Sequence, residues 1–258
     1  MIETHTHLYA KQFDEDRAAV MQRAFDAGVE EIYLPAIDSS THAAMLDLEG
    51  EYSNRVFAMM GLHPCSVKEN YEKELAIVKN HLDARKFCAV GEIGIDLYWD
   101  KSTFEIQKDA FFRQTEWAKD LDIPIVIHSR DSIDEVTEML YKMKSDKLRG
   151  IFHCFTGNVE QGKKIIDLGF CLGIGGVVTF KNAGLDKTVA DLPLGSLVLE
   201  TDAPYLSPVP YRGKRNETSY LRLIAEKISA VQEVSFAEVK KTTTENAKKI
   251  FGTNNRNV

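Results

Sequence analysis

The sequence predicts an α/β protein, a single (β/α)8 barrel of TIM type spanning residues 1–258, on three observations. Short β-branched or apolar runs recur along the whole chain, amphipathic stretches of helical periodicity separate them, and the runs number about eight, the count that closes such a barrel. A chain of 258 residues is an ordinary size for one barrel, and no Pro/Gly/Ser-rich linker or low-complexity stretch divides it. A doubly wound open sheet is the competing architecture, but no G-x-G-x-x-G follows the first apolar run to form a dinucleotide crevice.

In order, the strand-like runs are residues 2–7, 31–36, 56–62, 87–94, 123–128, 150–155, 170–176 and 197–202. Amphipathic segments at 14–27, 103–120, 132–144 and 159–168 supply crossover helices, with Gly28 and Gly169 placed as C-terminal stops. The stretch 218–251 reads as helical, with a polar tail after Gly252.

Composition bounds the function. With 44% hydrophobic and 28% charged residues the chain can bury a full core. Its net charge of −7 excludes a diffuse basic surface for wrapping nucleic acid, so an anionic substrate must be held locally. The opening Met1 to His5 lacks a basic n-region followed by an apolar h-region, and no run approaches the length of a membrane span, so the expected location is cytoplasmic. Cys65, Cys88, Cys154 and Cys171 form no C-x-x-C pair, which indicates neither a disulfide framework nor a cysteine-zinc site.

In a TIM barrel, chemistry is built at the C-terminal ends of the strands. His5 and His7 close the first run, Glu92 the fourth, His128 the fifth, His153 the sixth and Asp202 the eighth, so all are expected around one mouth. The two-residue period of a strand puts His5 and His7 on one face, where two imidazoles grip one cation. Glu92 can bridge two metals, Asp202 completes the first site, and His128 with His153 completes the second. Two divalent ions, two carboxylates and a hydroxide sum to about +1, which suits an anionic substrate despite the acidic chain. A single strand-end histidine is more often a packed residue, but four with two carboxylates are hard to assemble by packing alone. His42 and His81 fall in helical stretches and read as structural.

Several motifs carry a family resemblance: Thr4-His5-Thr6-His7, Gly61-Leu62-His63-Pro64, Gly91-Glu92-Ile93-Gly94-Ile95-Asp96, His128-Ser129-Arg130, Phe152-His153-Cys154-Phe155-Thr156-Gly157, Glu200-Thr201-Asp202-Ala203-Pro204 and Arg212-Gly213-Lys214-Arg215-Asn216-Glu217. In this order they resemble the TatD family of metal-dependent deoxyribonucleases, among the amidohydrolase-like barrels, and 246–251 resembles the family's C-terminal motif. The resemblance implies the same ligands, His5, His7, Glu92, His128, His153 and Asp202, with Glu92 where related barrels often use a carboxylated lysine. It also implies hydrolysis of DNA phosphodiesters with two divalent ions, Mg²⁺, Mn²⁺ or Zn²⁺. Glu3 stands where the family more often has aspartate, Tyr9 where it usually has aspartate or asparagine, and Thr218 where a proline is common. These departures bear on substrate preference, with Tyr9 expected near the mouth.

Asp202 is the expected general base, orienting or deprotonating the attacking water, with Glu92 beside it as the bridging carboxylate. His63 and Arg130 are expected to reach phosphate oxygens. Arg212, Lys214 and Arg215 lie in a loop that either closes over a polyanion or is a solvated surface. Tyr98, Trp99 and Phe104 either stack on bases or belong to the core, and Cys65 is assigned no chemistry. The expected partner is DNA, at ends or in single strands, because a barrel mouth admits one strand more readily than a rigid duplex. Alternatives are a hydrolase of small esters, lactones or amides on the same metal barrel, and a non-catalytic metal- or nucleic-acid-binding scaffold, which would normally have lost a ligand.

Overall fold

The computed structural model describes residues 1–252, and the polar tail expected after Gly252 lies outside them. Strands and helices alternate: β1 Ile2–Glu3, α1 Arg17–Asp26, β2 Glu31–Leu34, α2 Ser39–Glu51, β3 Val56–Ala58, α3 Tyr71–Ala84, β4 Val90–Asp96, α4 Phe104–Leu121, β5 Ile125–Arg130, α5 Ile133–Lys142, β6 Gly150–Phe152, α6 Val159–Asp167, β7 Phe170–Ile174, α7 Leu185–Ala190 and β8 Leu197–Leu199. Two further helices follow, α8 Leu221–Gln232 and α9 Phe236–Phe251.

All strand pairs are parallel and sequential, β1 to β3 in one group and β4 to β8 in the other. Backbone bonds cross both seams between the groups. At one, Met60 pairs with Val90 and Gly91 N donates to Met60 O (3.1 Å). At the other, Thr4 N donates to Leu199 O and Asp202 N to His5 O, both 3.0 Å. The strands therefore follow one another around a ring, the α/β arrangement that the sequence predicts.

The ladders are shorter than the apolar runs that announce them. Beyond Glu3 the first segment bonds to its two neighbours in turn, Thr6 N to Tyr33 O (3.2 Å) and His7 N to Ala203 O (2.8 Å), which keeps it extended without a ladder. β4 starts and ends later than expected, so Glu92 lies inside it and Asp96 closes it. Glu92 is also skipped in the register, since Gly91 pairs with Val126 and Ile93 with Ile127. Gly28 and Gly169 stop α1 and α6 as expected, at φ 85° and 87°. The long helical stretch near the C-terminus is divided at Glu233 (φ 55°), after which Ser235 caps α9 by accepting from Glu238 N at 3.1 Å.

One end of the ring is plugged. Ile2, Tyr33, Met59, Val126, Ile151 and Val198, from six strand segments, pack with Ala247, Ile250 and Phe251 of α9, and Phe251 stacks on Tyr33 with ring centres 3.8 Å apart. Each large apolar side chain buried there stabilises the fold by about 1.5–3 kcal/mol. Cys88 and Cys171 join this cluster as buried thiols. Chemistry is thereby left to the opposite end, where the strands finish. No helix among the described residues is long and apolar enough to cross a membrane.

Candidate metal centre

Six expected side chains converge at the open end. The extended segment after β1 brings His5 and His7 in with ring centres 5.2 Å apart, and His153, just beyond β6, stacks on His5 at 3.4 Å. Glu92 stands in the middle with its two oxygens facing different imidazoles. Its Oε2 lies 3.2 Å from His5 Nε2 and 3.8 Å from His7 Nε2, while Oε1 lies 2.8 Å from His128 Nδ1, 3.4 Å from His63 Nε2 and 3.6 Å from His153 Nε2. Asp202, in a left-handed turn (φ 56°) just past β8, brings Oδ1 to 3.5 Å from His7 Nε2 and 3.9 Å from both His5 Nε2 and His153 Nε2.

This geometry groups the ligand-type atoms as His5, His7 and Glu92, as His5, His153 and Asp202, and as His63, Glu92 and His128. The partition expected from the sequence differs in two places: His153 stands with His5 rather than with His128, and His63 joins the His128 side. The donors suit divalent cations by their own chemistry. His5 is wholly buried, yet neither of its ring nitrogens has a hydrogen-bond partner, although Glu92 and Asp202 stand beside it. A buried imidazole left so is unfavourable unless a cation takes its lone pair.

Electrostatics bind the cluster. Burial pushes the Glu92 carboxyl up, but the imidazoles of His63, His5 and His153 outweigh it and hold the group well below the ordinary carboxylate range. Burial pushes the His153 imidazole down, yet Glu200, Glu92 and Asp202 raise it to about 10.

Several residues that hold the cluster were missed or misread in the sequence. Tyr9 is not a mouth residue: it is buried, and its hydroxyl donates to Pro35 O (2.6 Å). With that proton engaged, the oxygen 2.8 Å from His7 Nδ1 accepts the ring N–H, so in the neutral imidazole the lone pair is on Nε2, toward Glu92 and Asp202. Glu200 was not singled out. It is buried, accepts from Cys154 N (2.6 Å) and lies 3.0 Å from His153 Nδ1. Gly173 makes room for it, since a Cβ there would sit 2.2 Å from Glu200 Oε2. Asp96 was also missed; it lies 2.8 Å from His128 Nε2, so both nitrogens of that ring face carboxylates. Both acids stand within motifs already read as functional, and a polar residue at a buried strand end was the available signal. Glu3 is buried too, accepting from Thr201 N (2.8 Å), Thr201 Oγ1 (2.6 Å) and His5 N (3.2 Å), which ties the ends of β1 and β8 together. Burial, with Glu200 nearby, raises its carboxyl to about 8. Thr218 is buried beside Thr6, away from the mouth.

A cavity of about 550 Å³ opens over the cluster, lined by His7, Glu92, His128, His153 and Asp202 together with Ile37, His63, Cys65, Asp96, Trp99, Arg130, Tyr205 and Leu206. A second of about 310 Å³ adjoins it through His128, Arg130, His153, Asp202 and Leu206. His63 Nδ1 accepts from Cys65 N (3.0 Å), so its ring proton is on Nε2, making that atom a donor into the site. Arg130 also reaches the cavity, its guanidinium 3.7 Å from the centre of the Tyr98 ring.

The basic loop does not reach it. Arg212 lies over Phe180 at 3.6 Å and Lys214 over Tyr211 at 5.9 Å, while Arg215 forms a two-pronged pair with Asp16 at 2.7 Å. None of the three lines either cavity over the cluster. The loop turns back through Gly213 (φ 79°) and Lys214 N to Tyr211 O (3.0 Å), and Asn216 pins it by donating to Thr201 O and Tyr205 O. Phe104 packs half-buried at the start of α4, outside the cavity.

Comparison with known proteins places this arrangement. A family profile described as TatD related DNase matches residues 2–252. The uncharacterized metal-dependent hydrolase YabD of Bacillus subtilis is 40% identical over 255 residues, covering 98% of this chain and 100% of that protein. The crystal structure of YjjV, a TatD homolog from Escherichia coli, superposes with a TM-score of 0.92 at 31% identity, covering 97% of each chain. A TatD family hydrolase from Entamoeba histolytica shares the fold at a TM-score of 0.83 and 21% identity, with 97% of each chain covered.

Proposed function

The chain belongs to the TatD-related DNase family and is a metal-dependent hydrolase, and on that premise we propose that the bond it breaks is the phosphodiester of DNA, taken from single strands or ends by a cytoplasmic enzyme. The observation that carries this reading is the division of Glu92, one oxygen toward His5 and His7, the other toward His128, His63 and His153. A carboxylate so placed would hold two cations together with His5, His7, His153, Asp202 and His128. Two divalent ions, Mg²⁺, Mn²⁺ or Zn²⁺, would supply a nucleophilic water at neutral pH and Lewis-acid stabilisation of the phosphoryl oxygens.

The chain's own groups do the rest. Asp202 is the carboxylate of the pair that reaches the cavity more openly, its side chain 13% exposed against 2% for Glu92. It accepts the proton of the attacking water. His63 donates through Nε2, and Arg130 sets on the same wall a guanidinium that has no carboxylate partner among the described residues, so both favour an oxyanion of the substrate. Tyr9 and Glu200 orient His7 and His153 from behind.

The test is nucleotide release from end-labelled single-stranded DNA by metal-stripped protein resupplied with Mg²⁺, Mn²⁺ or Zn²⁺, beside a Glu92→Ala control. Metal-dependent release, lost by at least about 10²-fold in the control, is expected. No release, or equal release by the control, would overturn the reading in favour of a small-ester hydrolase.

A further inference from the structure

Large apolar side chains are left in water at the rim of the cavity. Trp99 is 70% exposed and Tyr98 53% exposed in the loop after β4, and Tyr205 is 47% exposed in the loop after β8. Surface of this kind contributes little to folding, and when it borders a polar site it marks a place where something binds. Trp99 and Tyr205 both line the cavity over the metal cluster, and the ring order of the strands sets their loops across it from one another.

The first wall is organised. The rings of Tyr98 and Trp99 meet edge to face at 4.9 Å, and the Arg130 guanidinium lies 3.7 Å over Tyr98 and 5.5 Å from the centre of Trp99. Asp96 fixes the backbone beneath them by accepting from Tyr98 N and Trp99 N, both 3.0 Å, with the same carboxylate that touches His128. The platform is thus fastened to the metal cluster. Among the described residues, Arg130 has no carboxylate partner for its guanidinium. Tyr205 stands beside the cluster, edge-on to His7 with ring centres 5.9 Å apart.

We propose that Tyr98, Trp99 and Arg130 on one wall, with Tyr205 across from them, form a subsite for the unpaired terminal base of the strand whose phosphodiester lies on the cluster. Aromatic faces accept any base, and the free guanidinium complements the neighbouring phosphate, so the subsite selects an unpaired end without selecting a sequence. The proposal rests on the phosphodiesterase reading above, and its test separates the two.

The experiment compares oligodeoxynucleotides ending in an ordinary nucleotide with the same strands ending in an abasic residue. The metal-loaded protein should show a KM roughly 5- to 150-fold higher for the abasic end. Trp99→Ala should raise KM for the ordinary end toward the abasic value and leave kcat within about 2-fold; being so exposed, the position tolerates truncation. A readout free of turnover uses the second tryptophan: in Trp117→Phe protein held in chelator, Trp99 emission should be quenched by ordinary ends and not by abasic ones. Discrimination retained in Trp99→Ala, or absent both from turnover by the unsubstituted protein and from the quenching of Trp117→Phe protein, overturns the subsite. Quenching that discriminates without any strand cleavage supports the subsite and overturns the phosphodiesterase reading alone.

Discussion

Two histidine pairs in this chain, each built on a buried imidazole, differ chiefly in their neighbours. His5 and His153 stack at 3.4 Å on the floor of the cavity, and His42 and His81 meet edge to face at 5.1 Å between α2 and α3. His5 and His42 are both buried, and both have two ring nitrogens without a hydrogen-bond partner. Burial lowers the pKa of each. Yet His5 has Glu92 and Asp202 within ion-pairing distance, whereas neither His42 nor His81 has a carboxylate that close among the described residues. An orphaned imidazole is therefore no sign of a metal by itself. Opposed carboxylates make it one, because they add the negative charge that a divalent cation needs in a buried place.

The comparison breaks first at the floor. His5→Ala is expected to lower metal-dependent turnover by at least about 10²-fold and to abolish the rise in melting temperature on metal addition. His42→Leu should retain both. Thermal melts of the two variants with and without Mn²⁺, beside a turnover assay, decide it. A metal-dependent rise in His5→Ala equal to that of the unsubstituted protein would remove His5 from the ligands.

The floor was legible in the sequence because of where its residues interrupt apolar runs. His5, His7, Glu92, His128, His153 and Asp202 each stand where an otherwise buried strand has no folding reason for a charge, and strand periodicity fixes which way His5 and His7 face. The ring of strands was legible for the same reason. What hid was whatever depends on the course of a loop. Lys214 and Arg215 look alike in sequence, but a turn at Gly213 sends one over Tyr211 and the other to Asp16. Tyr9 looked like a mouth residue, and only the Pro35 carbonyl beside its hydroxyl reveals that it faces inward. The two-residue ladder of β1 hid as well, because the bonds that extend it go in turn to Leu199 of β8, Tyr33 of β2 and Ala203 beyond β8, partners distant in sequence that no local pattern encodes.

Tyr9→Phe sharpens the comparison by disturbing an imidazole without removing it. The substitution keeps the ring and deletes the oxygen that receives His7 Nδ1–H, so His7 is no longer held with Nε2 free. Metal affinity should fall by about 10- to 100-fold, with turnover recovering at high metal concentration. Titration of metal-stripped protein followed by turnover measures both. Unchanged affinity would mean that packing, and not the hydroxyl, sets the ring.

The smallest expected effect belongs to the outer pair and appears only in acid. His42 titrates at about 4 in the folded chain, chiefly through burial and then His81, with Glu74 and Asp38 opposing, against an ordinary 6.5. Its charged form is disfavoured by folding, so the unfolded chain binds the proton first as pH falls through 6.5. Stability therefore declines from pH 6.5 toward 4 and does not depend on this group above 6.5. The floor titrates too, so the informative quantity is the difference between the unsubstituted protein and His42→Leu, whose leucine fills the site without a proton to take up. Urea unfolding at several pH values between 4 and 7 should show a gap that changes across the window in favour of the variant at the acid end. A constant gap would show that His42 is protonated as readily folded as unfolded, and the likeness to His5 would then extend no further than burial.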